Sequence, residues 1–554
     1  MSQRAATLLG LASAALVAGC PERRQPISVR GDAGPSVVIV DPIKHPVALP
    51  PVALADELEP DDDLEHAQPM EAGKGIRGTI GAPQTVKGKP RADVDYYSWL
   101  EPGAPSIDGG GVGFNEARVE LSGVGGLDLV LEVLAGDGTK LWTANDAGVG
   151  EPEIVPNLAL EPGHTYYLRV RALGDKSDPA HPYELVVRST PAPAGAEREP
   201  NDDAARATPL AAIGDANGFY GRRRDEDWLK LPPPPSFAGA APILRIELGP
   251  VEGVAPELKV FSGTALLAAA RAGRGEELRL RNVGLPAVEN LLVMLKAAEG
   301  RNPLERWTIK LGVEAPLDGA EREPNDTLDH AQAIALEGAQ PIAGFLWPGD
   351  VDLYRVTGAG DALYTAELDG LEHVDLKLDR LGPDGKSLAH ADDNGVGQGE
   401  RLPPMALGAA AILRVTARAR DTAFDAPYRL TVSAQSNDPE LEREPNDTRE
   451  TATTWREGAR AMHGFVAPRG DLDLYRFLAP EGKKQATVAL EAPAGTALSV
   501  RIVGEAGLPL STSDQPGRAA AAVTPGKSYF VIVKGASEKV SNPREPYSIT
   551  LTLD

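Results

Sequence analysis

Apolar and polar residues alternate with a period of two over many short stretches of this chain. Examples are Leu127-Asp-Leu-Val-Leu-Glu-Val133, Val374-Asp-Leu-Lys-Leu-Asp379, Tyr428-Arg-Leu-Thr-Val432 and Tyr547-Ser-Ile-Thr-Leu-Thr-Leu553. A two-residue period puts one set of side chains on a buried face and the other in water, so these stretches predict half-buried β-strands. Gly136-Asp137-Gly138 and Pro383-Asp384-Gly385 follow the first two and predict corresponding hairpin turns. Further strands are predicted at Tyr166 to Val170, Leu291 to Leu295, Ile412 to Val415 and Tyr529 to Val533. Helix-period stretches are scarce, and 59 Gly and 49 Pro break the apolar runs into short pieces. The expectation is an all-β chain built of β-sandwiches, of jelly-roll type.

The pattern recurs four times. A Glu-x-Glu-Pro-Asn/Asp-Asp cluster stands at Glu57, Glu59, Asp61, Asp62, at Glu197, Glu199, Asn201, Asp202, at Glu321, Glu323, Asn325, Asp326, and at Glu442, Glu444, Asn446, Asp447. Each is followed by an Asp-x-Asp pair: Asp93 and Asp95, Asp225 and Asp227, Asp350 and Asp352, Asp471 and Asp473. Each unit closes on an aromatic residue that opens a strand, Tyr183, Trp307, Tyr428 and Tyr547. A repeat at this spacing decides the architecture before any other argument. It predicts four tandem domains, at residues 57–192, 193–315, 316–436 and 437–554. The first carries an insertion, part between Gly78 and Asp93 and part at Ser106 to Phe114.

Length and composition agree with this division. A chain of 554 residues accommodates several domains, and units of this size can each bury a core. Residues 21–56 are Pro-rich and lack a sustained period, which predicts a semi-rigid tether, with Val37 to Val40 as a short apolar run able to add a strand. The formal charge of −24 makes nucleic acid and anionic lipid surfaces poor partners and cations good ones. The single cysteine, Cys20, follows Arg4, an apolar run from Ala5 to Ala18, and the small residues Ala18 and Gly19. That is the layout of a signal peptide over residues 1–20 with a small-residue cleavage site.

The acidic clusters are the candidate chemistry. In Asp350-Val-Asp352-Leu-Tyr354 a strand period puts both carboxylates and the tyrosine on one face, the acids about 7 Å apart. With the Glu-x-Glu-Pro-Asn-Asp segment this makes a set of hard oxygen ligands of the size calcium takes, without the His or Cys that zinc prefers. The competing reading has Asn201, Asn325 and Asn446 capping turns while Arg198, Arg322 and Arg443 neutralise the acids. The second unit has Leu229 where the others have Tyr97, Tyr354 and Tyr475, so its site is expected to have lapsed. The third and fourth are expected to be the best formed.

Two resemblances follow from these residues. Val17-Ala-Gly-Cys20 resembles a bacterial lipoprotein signal, which implies lipidation at Cys20 and a membrane anchor rather than a span. Pro21, rather than Asp, after that cysteine favours the outer membrane over the inner. From residue 57 to the end, the Glu-Pro-Asn-Asp clusters, Gly218-Phe219, Gly344-Phe345 and Gly464-Phe465, the Asp-x-Asp-x-Tyr motifs and the closing Tyr strands resemble the bacterial pre-peptidase C-terminal domain family. They are also similar to the collagen-binding modules of bacterial collagenases. The resemblance implies β-sandwiches in which the acidic segment and Asp pair bind calcium.

No H-E-x-x-H, G-x-S-x-G or phosphate-cradling G-x-x-x-x-G-K motif occurs, so no enzyme is expected. The leading expectation is a non-catalytic, lipid-anchored cell-envelope protein whose tandem domains bind an extracellular polymer or protein. The alternatives are an envelope spacer or an accessory to a separately encoded exported peptidase. An exposed aromatic patch drawn from Trp99, Trp142, Trp228 and Trp347 would favour the binder, and its lack the spacer.

Overall fold

A computed structural model describes residues 51–86, 89–103, 114–174, 176–235, 237, 241–286, 290–418, 423–456, 458–510 and 517–554. The expectations for the signal segment with Cys20, for the tether as far as residue 50 with Val37 to Val40, and for residues 106–113 of the insertion lie outside these residues. Among the described residues all regular structure is β-strand, and no helix is long and apolar enough to cross a membrane.

The strands repeat one topology four times. In the third repeat one sheet runs, in spatial order, Gln332–Ala335, Asp352–Thr357, Ala411–Ala417, Leu376–Leu381, Ser387–Ala391. A second sheet runs Ile342–Leu346, Ala423–Gln435, Leu363–Leu368, Arg401–Ala406. The same two orders recur in the other repeats, with two differences at the edges. Ala53–Asp56 is added in the first, and among the described residues the fourth has no counterpart of Ser387–Ala391. Each pair of sheets shares one apolar cluster, to which the alternating residues of both contribute, Leu376, Leu378, Leu413 and Val415 from one and Tyr428, Leu430 and Val432 from the other. At about 1.5–3 kcal/mol per fully buried aliphatic side chain, these clusters are the main source of each repeat's stability.

The two hairpins expected from Gly136-Asp-Gly138 and Pro383-Asp-Gly385 form, joining Leu129–Leu134 to Lys140–Ala144 and Leu376–Leu381 to Ser387–Ala391. Gly138 and Gly385 hold φ of 82° and 77°, which a side chain would resist. Part of the first repeat's insertion is a small hairpin of its own, Gln84–Val86 with Lys89–Arg91.

One register is common to every repeat and shapes the site. The closing aromatic lies opposite a glycine across the sheet: Tyr183 with Gly78, Trp307 with Gly218, Tyr428 with Gly344 and Tyr547 with Gly464. A Cβ at any of these glycines would overlap the aromatic ring or its hydroxyl. In repeats two to four, the residue before the acidic segment bridges the same glycine-bearing strand, as Ala196 to Asn217, Ala320 to Ala343 and Leu441 to His463. Glycine, aromatic and acids are thereby brought to one place.

Candidate metal centre

The acidic segment runs extended into its repeat. In the fourth repeat Glu442, Glu444 and Asn446 are buried, while Leu441, Arg443 and Pro445 between them keep partial exposure. The period of two therefore aims three oxygen-bearing side chains inward from one short stretch. The Glu–Pro bond within the segment is cis in all four repeats. Each second glutamate accepts a hydrogen bond from the amide two residues on: Asp61 N–H to Glu59 at 3.1 Å, Asn201 to Glu199 at 2.9 Å, Asn325 to Glu323 at 2.7 Å and Asn446 to Glu444 at 2.9 Å.

Three carboxylates converge in each repeat. Glu321, Glu323 and Asp352 each offer an oxygen within 4.8 Å of the others, as do Glu442, Glu444 and Asp473, and Glu197, Glu199 and Asp227. All nine are buried. The first repeat assembles a different trio, Glu59, Asp93 and Asp95, in which Glu59 is exposed.

Tyrosines hold the trio from the core side. The Tyr354 and Tyr428 hydroxyls both donate to Glu321 Oε2 at 2.9 Å, and the Tyr428 hydroxyl also lies 2.7 Å from Asp352 Oδ2. In the fourth repeat Tyr475 donates to Glu442 at 3.0 Å and Tyr547 to Asp473 at 2.7 Å. Tyr97 and Tyr183 stand likewise against Glu57 and Asp95. Other oxygens receive no donor from outside the trio. Both amide atoms of Asn325, and Asn201 Oδ1, Glu199 Oε1 and Asp227 Oδ1, are buried without a protein partner, while Glu323 with Asp352 and Glu444 with Asp473 face each other closely enough to share a proton.

Burial, followed by the charge of neighbouring carboxylates, pushes Glu323, Asp352, Glu444 and Asp473 well above the usual carboxylate range. Burial lifts Asp95 to about 9 and Asp61 to about 8, and Glu197 to about 8. A buried carboxylate without a counter-charge takes up a proton instead. A bound divalent cation would serve the same end with the protons released. Converging buried carboxylate and amide oxygens with no His or Cys match the donor set of a hard cation.

The arginines inside the acidic segments do not neutralise the trios. Arg198 reaches Glu161 and the ring of Phe114, Arg322 reaches the Ala241 carbonyl, and Arg443 reaches the Asp361 carbonyl and Asn437. The competing reading of the sequence therefore fails on its arginines, and Asn446 Oδ1 accepts not from a turn but from Leu474 N–H in the Leu472–Leu478 strand, at 3.1 Å.

Several expected site residues stand elsewhere. Asp62, Asp202, Asp326 and Asp447 lie outside the converging trios; they are partly or largely exposed, and Asp202 pairs with Arg222 and Arg206. The first aspartate of each later pair has a local task. Asp225, Asp350 and Asp471 accept backbone N–H groups of Gly221, Trp347 and Ala467 and close the turn before their strand. Burial nevertheless alternates through them: Asp225 and Asp227 are buried on either side of the partly exposed Glu226, and Asp471 and Asp473 on either side of Leu472. Glu57 binds Thr79 through both its amide and its hydroxyl, at 2.8 and 2.9 Å, and stays out of the first trio.

In the second repeat, where the site is expected to have lapsed, a carboxylate trio still converges. Its oxygens fall within the same 4.8 Å and are as buried as those of the third and fourth, but Arg222, paired with Asp225 and Asp202, offsets part of the charge at Glu199. Leu229 does remove one tyrosine, but the closing aromatic is Trp307, whose indole N–H donates to Asp227 Oδ2 at 2.8 Å. That paired exchange of Tyr/Tyr for Leu/Trp was visible in the sequence. Less visible was Asn157, which comes from the first repeat and donates to Glu197 Oε1 at 2.5 Å.

No protein-family profile matches the chain. No curated protein matches it either. Among solved structures it is similar, at 8% identity and a TM-score of 0.17, to one described as a triple jelly roll fold and turret assembly in an archaeal virus, covering 67% of this chain and 84% of that one. A Clostridium perfringens ZmpB structure, an M60 catalytic domain with two CBM51 domains, aligns at 9% identity and a TM-score of 0.13, covering 82% of this chain, which spans 55% of that one. The BSP domain of a biofilm-associated protein aligns at 10% identity and a TM-score of 0.11, covering 80% and 93%.

Proposed function

We propose that this chain is a non-catalytic, cation-stiffened stalk of four β-sandwiches of the pre-peptidase C-terminal kind, spanning residues 57–192, 193–315, 316–436 and 437–554. It stands on the cell envelope, exported by the segment 1–20 and held by lipid at Cys20, with the outer membrane as the favoured location. The observation that carries the reading is the fourfold recurrence of a trio of converging carboxylates, which in the later three repeats are all buried. Calcium is the ion this donor set suits, being oxygen-only and rich in carboxylate.

A spacer is preferred to a polymer binder because of where the tryptophans sit. Trp99, Trp142 and Trp347 are buried, and Trp228 is partly covered and stacks on Phe261 with ring centroids 5.4 Å apart. The exposed large apolar residues among the described ones are all aliphatic, such as Leu58, Val149, Leu304 and Leu478. An aromatic platform of the kind a polymer ligand stacks on is not supplied by these four tryptophans.

Thermal melting of residues 20–554 carrying Cys20→Ser tests the cation reading. At ten times the dissociation constant each occupied site should add about 1.4 kcal/mol. Melting temperatures that are the same in millimolar calcium and in excess chelator overturn it.

A further inference from the structure

The acidic segments of the second, third and fourth repeats are each gripped from behind by the repeat that precedes them. Glu199 bridges Leu158 in parallel register, Glu323 bridges Val283 and Glu444 bridges Met405. The backbone amides that follow close the contact: Ala159 N–H donates to the Glu199 carbonyl at 3.0 Å, Gly284 N–H to that of Glu323 at 3.0 Å, and Ala406 N–H to that of Glu444 at 2.8 Å. These three donors are equivalent in register. Leu158, Val283 and Met405 lie opposite Ala117, Leu244 and Tyr364 on the strands Asn115–Leu121, Ile243–Leu248 and Leu363–Leu368. The strands that carry the donors, Glu153–Leu160, Leu278–Gly284 and Arg401–Ala406, are edge strands of their sheets, so the next repeat's acidic segment continues the edge.

Side chains cross at the same place. Asn157 donates to the Glu197 carboxylate, and Asn282, at the same register one junction on, donates through Nδ2 to the Glu321 carbonyl at 2.9 Å. Both asparagines are buried, and the Oδ1 of each has no protein partner. The second glutamate is thus shared. Its carbonyl is held by one repeat, while its carboxylate belongs to the trio of the next.

We propose that the centres of repeats two, three and four are shared between consecutive repeats, so that taking up a divalent cation and docking onto the preceding repeat are one event. The inference rests on the cation reading above. A cation that fixes the Glu444 side chain fixes the peptide that Ala406 holds, and a loose junction leaves that side chain free to leave the trio. By linkage the coupling runs equally in both directions. The first repeat has no predecessor among the four, and its trio includes an exposed glutamate.

The test uses residues 20–554 with Cys20→Ser and spin labels at Lys386→Cys and Glu481→Cys, one on each side of the last junction. Both positions are exposed. Dipolar spectroscopy should give a narrow distance distribution with saturating calcium and a broad one in chelator. Ala406→Pro removes the crossing N–H from an edge strand, where proline is tolerated, and leaves every carboxylate in place. It should broaden the distribution even with calcium present, while calorimetry shows one site weakened about fivefold, the worth of one hydrogen bond. Asp473→Asn should broaden it from the other side. A distribution equally narrow in calcium and chelator, with calorimetry showing bound calcium, overturns the shared site and leaves the cation reading standing. An unchanged affinity in Ala406→Pro also overturns it. No calorimetric binding at all removes both.

Discussion

The Tyr428 hydroxyl lies 2.7 Å from Asp352 Oδ2 and 2.9 Å from Glu321 Oε2, which joins the last strand of the third repeat to its acidic segment and to the aspartate of its other sheet. One phenol thus faces two buried carboxylates. Tyr428→Phe should destabilise the third repeat by about 1–3 kcal/mol, the cost of leaving buried acceptors short of a donor. Hydrogen exchange of the Leu363–Leu368 and Ala423–Gln435 amides would read this out for that repeat alone.

The effect of Asp352→Asn should change sign with the cation. In chelator the substitution removes one of three mutually repelling buried carboxylates, and the melting temperature of the third repeat should hold or rise. In calcium the same variant loses a ligand and should melt below the parent chain. Destabilisation of equal size under both conditions would show that Asp352 serves the core and not an ion.

Gly344→Ala should cost about 1–3 kcal/mol, because its Cβ would overlap the Tyr428 ring and force the aromatic off the trio. Gly395→Ala, in open space in the same repeat, should be close to neutral. Denaturation of the two variants side by side separates the close approach from a general effect of losing glycine.

Without a cation, stability should rise as the pH falls. Asp95, Asp61 and Glu197 have folded values near 9, 8 and 8, above those of an unfolded chain, so the folded state binds protons that the unfolded state gives up. In chelator, melting temperatures should therefore increase from about pH 9 towards about pH 5. Saturating calcium should flatten or reverse that slope, since protons and cation compete for the same oxygens.

The strands were legible in the sequence because burial on one sheet face forces a period of two, as at Leu376 and Leu378 or at Leu430 and Val432, without any knowledge of partners. The shared face of Asp471 and Asp473 was legible too, but the turn that Asp471 closes before its strand was not, because spacing alone cannot mark that boundary. The inward orientation of Glu442 and Glu444 was not read from the sequence, where Pro445 and Asn446 point to a turn rather than an extended stretch. The aromatic partner of the second trio was not legible from Leu229 alone, because Trp307 lies far along the chain and meets Asp227 only across the fold. Asn157 and Asn282 carry no local signal at all, since their partners belong to the next repeat.

Calorimetric titration of calcium into chelator-stripped residues 20–554 with Cys20→Ser tests the central claim most directly. Saturable binding of three to four ions per chain, reduced by one in Asp473→Asn, is the predicted result. Heats no larger than dilution, or the same ion count in both chains, would contradict it.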